Sequence, residues 1–207
     1  MSMLFKLAVA GAAATSGIAL YDAVHHGLTG RYSVFVSDSD VPAVELAGSL
    51  VHGFTYAALA TVLLVQSRLT SNSQAYRWIC RLLGADFVVL AAVFLIGEPI
   101  AAATGMSIDA TPAGPIVGNI TFLLMFLLSF ALGLTILRRP ERRASAIILL
   151  AIGPVILLTV IAAALGSGFA HPAYAETLVH FGVALLALPT AAAQLHHPRT
   201  ATEAAAT

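Results

Sequence analysis

Six long apolar runs separated by short polar connections organise the chain. They cover about 4–24, 44–65, 79–101, 115–137, 144–165 and 173–195. Each is near the ~20 residues that an α-helix needs to cross about 30 Å of hydrocarbon. In lipid an unpaired backbone polar group costs several kcal/mol, so helices are the expected state of every run. The pattern predicts an all-α, polytopic membrane bundle of six transmembrane helices, one domain over 1–195, followed by a polar tail over 196–207 that is expected to be mobile.

The first run could be read as a signal peptide with Lys6 as its basic start. It is read instead as a retained span, because it continues through Ile18, Ala19 and Leu20 without a small-x-small cleavage site before Asp22. Within it small residues recur four apart, Ala10 with Ala14 and Ala13 with Gly17, a spacing that permits close helix packing. Pro154 predicts a kink in the fifth run.

The basic residues orient the spans. Lys6, Arg68, Arg77, Arg81, Arg138, Arg139, Arg142, Arg143 and Arg199 fall on one side of a six-span chain, and Arg31 alone on the other. Positive residues stay inside, so both termini are expected in the cytoplasm. Arg138, Arg139, Arg142 and Arg143 read as a topogenic and lipid-headgroup cluster, and Tyr76 and Trp78 as interface anchors.

Composition agrees with lipid as the solvent. The 207 residues are 59% hydrophobic and 10% charged, against roughly 25% charged in an average soluble domain. Mean hydropathy is +0.91. The formal net charge of zero gives no reason to expect a nucleic-acid partner. A single cysteine, Cys80, excludes an intramolecular disulfide and reads as a small packing residue. One Lys against nine Arg, with abundant Ala, suggests a bacterial source and hence the bacterial cytoplasmic (inner) membrane.

The candidate chemistry gathers in the outer half. Asp22, Asp38, Asp40, Glu45, Glu98, Asp109, Glu176, His25, His26, His52, His171 and His180 all fall there. His52 and His180 lie deepest, about 12 Å into their spans at about 1.5 Å per residue. Asp22 and His26 are four apart, as are Glu176 and His180, so each pair shares a helix face. A carboxylate one turn from an imidazole can orient it or join it in holding a metal. Asp86, near Arg81 in the third run, is expected as an inner-boundary ion pair or water contact, with a proton-relay role as the alternative. The Asn119-Ile120-Thr121 sequon lies inside a span and is expected to be inert.

No HExxH, CxxC, P-loop or GxSxG motif is present, so no catalytic residue can be named and enzyme status stays open. The largest share goes to a structural or accessory membrane subunit, with the lipid bilayer and either a protein partner or further copies of itself as company. One alternative is a redox or metalloprotein. In it His52 and His180 hold haem b, with Gly48, Gly53 and Gly182 leaving room for the macrocycle. The metal version recruits Asp22, His26, His52, Glu98, Glu176 and His180 to hold a divalent ion such as Zn, Fe or Mn. A further alternative is a transporter of a small solute or protons that uses Glu98 beside Pro99. An enzyme using His and Glu as acid and base without bound metal is the remaining class.

Overall fold

The computed structural model describes residues 2–35, 42–68, 73–105 and 114–188. The tail, the end of the sixth apolar run, and Asp38, Asp40 and Asp109 lie outside the described residues. Among those described there is no strand.

Eight helices follow in order: α1 (Met3–Thr29), α2 (Pro42–Ser67), α3 (Gln74–Ala92), α4 (Glu98–Thr104), α5 (Gly114–Ile136), α6 (Arg143–Leu150), α7 (Ile152–Ala164) and α8 (Ala173–Ala184). A π-helical turn, Val93–Gly97, joins α3 to α4, and a 3-10 turn, Leu185–Ala187, extends α8. Five helical stretches are long and apolar enough to cross a membrane: Met3–Thr29, Ala43–Ser67, Gln74–Thr104, Pro115–Ile136 and Pro140–Ala164. The sixth run is shorter as described, an apolar Ala173–Ala187.

Local chemistry sets the ends. Ser2 and Ser73 accept the backbone N–H of Phe5 and Tyr76 and so cap α1 and α3. Gly30 closes α1 in the left-handed conformation, with φ of 71°. Two prolines explain the interruptions inside the long stretches. Pro99 has no N–H and its ring would strike the carbonyl four residues back. The chain widens to a π-turn ahead of it, and Glu98 N–H bonds Val93 O. Pro154 has the same effect on the fifth run, which breaks at Ala151 into α6 and α7.

The helices close into a ring. α1 packs on α2, α2 on α3, α3 on α5, α5 on α6, α6 on α8, and α8 returns to α1. The main apolar cluster of the interior is built around Tyr56, Leu59, Leu63, Leu83, Phe87, Met125, Leu132, Leu149 and Val183, and a smaller one holds Ala19, Ala23 and Ala173. Close approaches depend on missing side chains. A Cβ on Gly11 would lie 2.8 Å from Thr55 Oγ1, and at that crossing Thr15 Oγ1 donates to Thr55 Oγ1 at 2.7 Å. Leu149 fits between two glycines: a Cβ on Gly182 would meet its Cδ2 at 2.5 Å, and one on Gly133 its Cβ at 3.0 Å. α7 buries only Ile152, and Leu157, Leu158, Val160 and Ile161 point outward. An apolar flank of that extent suits lipid and not water.

The helix directions place the basic residues flanking α2, α3, α5 and α6 together at one end, where a polar lock holds α8. Arg142 Nη1 donates to the carbonyls of Leu186 and Leu188, the latter at 3.2 Å, and Nη2 donates to Gln66 Oε1 at 3.4 Å. Gln66 Nε2 donates to Leu186 O at 2.8 Å. Arg142 is therefore a clamp on the last turn of α8, beyond the topogenic role expected of it. Tyr76 corrects the anchor reading. It is 1% exposed, donates from its hydroxyl to Gln66, and lies under the Arg139 guanidinium. Trp78 is exposed, with Arg81 stacked over its ring at 5.3 Å. Cys80 is buried. Arg81 and Asp86 make no ion pair among the described residues. Five residues apart they diverge around the helix, which leaves Asp86 buried and Arg81 exposed.

Candidate functional site

The opposite end holds the five histidines among the described residues, in two tiers. In the outer tier Asp22 is 2% exposed, on the inner face of α1. Its Oδ1 accepts the Ser33 N–H at 2.6 Å, which ties the loop after α1 back to the helix. Its Oδ2 lies 3.5 Å from His171 Nε2. His171 Nδ1 accepts the N–H of Ala173 at 3.2 Å, so the neutral ring carries its proton on Nε2, facing Asp22. Burial pushes the His171 imidazole below its ordinary range; the Asp22 charge pulls the other way, and His26 adds to the lowering. His26 donates from Nδ1 to Gly168 O at 3.0 Å and stacks on Tyr32 at 4.7 Å between centroids. The four-residue spacing of Asp22 and His26 therefore does not become a pair. Asp22 turns into the bundle and His26 toward the loop ahead of α8.

The inner tier centres on α8. Tyr56 of α2, wholly buried, donates its hydroxyl to Glu176 Oε1 at 2.5 Å. The same oxygen lies 3.6 Å from His180 Nε2. His180 is 0% exposed, and neither ring nitrogen has a hydrogen bond within the protein. Here the four-residue spacing does bring the two groups together. Tyr56 completes the group, and it was absent from the sequence-based set although the signal existed. It lies four residues after His52 inside a span, where a phenol needs a partner.

His52 is half-buried and turned onto its own helix, its Nδ1 donating to Gly48 O at 2.9 Å. A run of rings separates it from His180. His52 stacks on Phe94 with centroids 5.3 Å apart, Phe94 on Tyr56 at 5.8 Å, and Tyr56 meets His180 edge-on at 5.4 Å. The π-turn ahead of Pro99 supplies Phe94, so backbone geometry and the aromatic run are linked. Glu98 is half-buried at the head of α4. Asn119 borders an open groove of about 570 Å³ between α3 and α5, lined also by Leu90, Phe94 and Phe122.

This packing tests the two cofactor arrangements. A macrocycle between the imidazoles needs open faces at the nearby glycines. A Cβ on Gly53 would meet Leu95 Cγ at 2.5 Å, one on Gly182 would meet Leu149 Cδ2 at 2.5 Å, and one on Gly48 would lie 3.3 Å from Phe35 O. Phe94 and Tyr56 lie between the two imidazole rings. Among the described residues no group of three or more His, Cys, Asp or Glu converges as a metal site would. The six candidate ligands are dispersed: Asp22 to His171, His26 to Gly168, His52 to Gly48, Glu176 and His180 to the inner tier, and Glu98 to α4.

No protein-family model, curated protein or solved structure matches the chain, so the functional reading rests on this geometry.

Proposed function

We propose that the chain is a structural or accessory subunit of a bacterial cytoplasmic membrane. In this reading it crosses six times with both termini inside, and its histidine–carboxylate layer holds the helices to one another. The supporting observation is where the layer's polar atoms go. Asp22, His26, His52 and Glu176 spend hydrogen bonds on the backbone or on other side chains of the same bundle. The lipid-facing flank of α5 and α7 meanwhile offers apolar surface to the bilayer and to a neighbouring protein or second copy.

Absorption spectra of the purified protein, oxidised and dithionite-reduced, with elemental analysis, test the reading. A colourless, metal-free, folded protein is the expected result. A Soret band that shifts on reduction, or a stoichiometric metal, overturns it in favour of the cofactor alternative. Solute flux in liposomes that stops on Glu98→Gln would overturn it in favour of transport. The orientation has its own test. An impermeant maleimide should label Ser167→Cys in intact cells and Glu141→Cys only after the membrane is opened; the reverse pattern inverts the bundle.

A further inference from the structure

Among the described residues of the layer, His180 leaves both ring nitrogens without a hydrogen bond. A buried polar group without a partner costs about 1–3 kcal/mol, and intramembrane ionisable groups are functional candidates by default, proton relays among the roles they serve. His180 is 0% exposed with both ring nitrogens unbonded, one turn from Glu176 on the same helix. Helix locking uses the Tyr56–Glu176 bond and gives no reason for an imidazole beyond it. We propose that Tyr56, Glu176 and His180 form a buried proton-binding site, in which one proton taken up from the histidine end is shared between the Glu176 carboxylate and the His180 imidazole.

The geometry supplies each part. Glu176 Oε1 and His180 Nε2 stand 3.6 Å apart, so a small ring movement closes the pair to hydrogen-bond length. Tyr56 holds the carboxylate by its hydroxyl from the far side. The entrance is the outer tier, where His171, its side chain 17% exposed, contacts Asp22 at 3.5 Å. His171 lies five residues ahead of Glu176, in the turn that opens α8. The chemistry is proton transfer alone: an O–H bond of the aqueous donor breaks, an O–H on Glu176 or an N–H on His180 forms, and no electrons change hands.

Groups that set the site's charge come from every side of α8. α1 offers Asp22, the loop before α8 offers His171, and α2 offers His52 and Tyr56. α3 carries Asp86, buried in the same bundle interior. α5 and α7 carry no charged residue, and α6 has only the exposed Arg143. Leu63, Leu83 and Phe87, all 0% exposed, belong to the apolar cluster that also holds Tyr56. The site exists whether or not the chain docks on a partner.

The full-length protein in phosphatidylcholine nanodiscs, with 15N-labelled histidine, tests this by magnetic resonance and infrared difference spectroscopy between about pH 8 and about pH 5. His180 is recognised by its contact with the Tyr56 ring. The expected result is a His180 signal and one buried carboxyl band that change at a common midpoint, because coupled groups titrate as a pair. Glu176→Gln should abolish the band and move the His180 midpoint. Tyr56→Phe, which deletes only the hydroxyl, should move the common midpoint about tenfold in proton concentration, the size of one charge-assisted hydrogen bond. A His180 that keeps one neutral tautomer throughout, or a midpoint indifferent to both substitutions, overturns the proposal. Should Glu176→Gln fail to fold, the wild-type titration and Tyr56→Phe decide.

Discussion

Gly182→Ala separates a filled notch from an open one beside His180. The added methyl would lie 2.5 Å from Leu149 Cδ2 and 2.7 Å from its Cγ. Leu149 cannot simply retreat. It is 0% exposed, and on its other side a Cβ at Gly133 would already meet its Cβ at 3.0 Å. Overpacking of this kind costs about 1–3 kcal/mol. Alanine in place of glycine in a helix returns about 0.5–1 kcal/mol. The clash wins, and the net expectation is a loss of about 1–2 kcal/mol. The second leg of the cycle is Leu149→Ala, which should by itself cost about 2–5 kcal/mol. In the double variant the new methyl has space, so the losses should fall short of additivity by about 1 kcal/mol. The assay is reversible unfolding of the four proteins in mixed micelles, followed by circular dichroism. A Gly182→Ala protein as stable as the parent, with strictly additive losses, would refute the reasoning. It would also reopen the space beside His180 to a bound group.

Three further outcomes can be checked. Arg142→Ala removes the clamp on Leu186 and Leu188; hydrogen exchange in the last turn of α8 should rise about tenfold, as for loss of one hydrogen bond to a charged donor, while α2 stays protected. His171 is held neutral by burial, so the unfolded chain binds its proton more readily. Stability should be full above the ordinary imidazole value of about 6.5 and fall as pH drops below it, and His171→Gln should flatten that slope in a pH series of unfolding curves. Thr15→Val deletes the α1–α2 hydroxyl bond and should cost about 0.6 kcal/mol in the same unfolding assay, the average of measured intramembrane hydrogen bonds.

The proline expectations show how far local reading reaches. Pro154 predicts a disturbed fifth helix, and the chain does break, three residues earlier at Ala151, because a proline disrupts the turn before it. Pro99 was legible as a neighbour of Glu98. Its main consequence, a π-turn that sets Phe94 against His52 and Tyr56, depends on helices far apart in the chain. The same divide runs through the polar residues. Four-residue spacing brought Glu176 and His180 together because both face inward. It did not join Asp22 to His26, since Asp22 was taken by Ser33 and His171. Arg142 looked like one of four equivalent arginines until α8 came to end beside it.

The amino-acid pattern by itself determined that this is a helical chain with several stretches able to cross a membrane. This follows from local solvation: every residue of a span must suit hydrocarbon, and its backbone must satisfy itself within the helix. Only the tertiary structure decided which polar groups meet. A helix shows several faces, and the face turned inward is chosen by packing, where Gly11, Gly133 and Gly182 let neighbours approach. That choice set Tyr56 on Glu176, left His180 unbonded beside it, and packed Leu149 against Gly182.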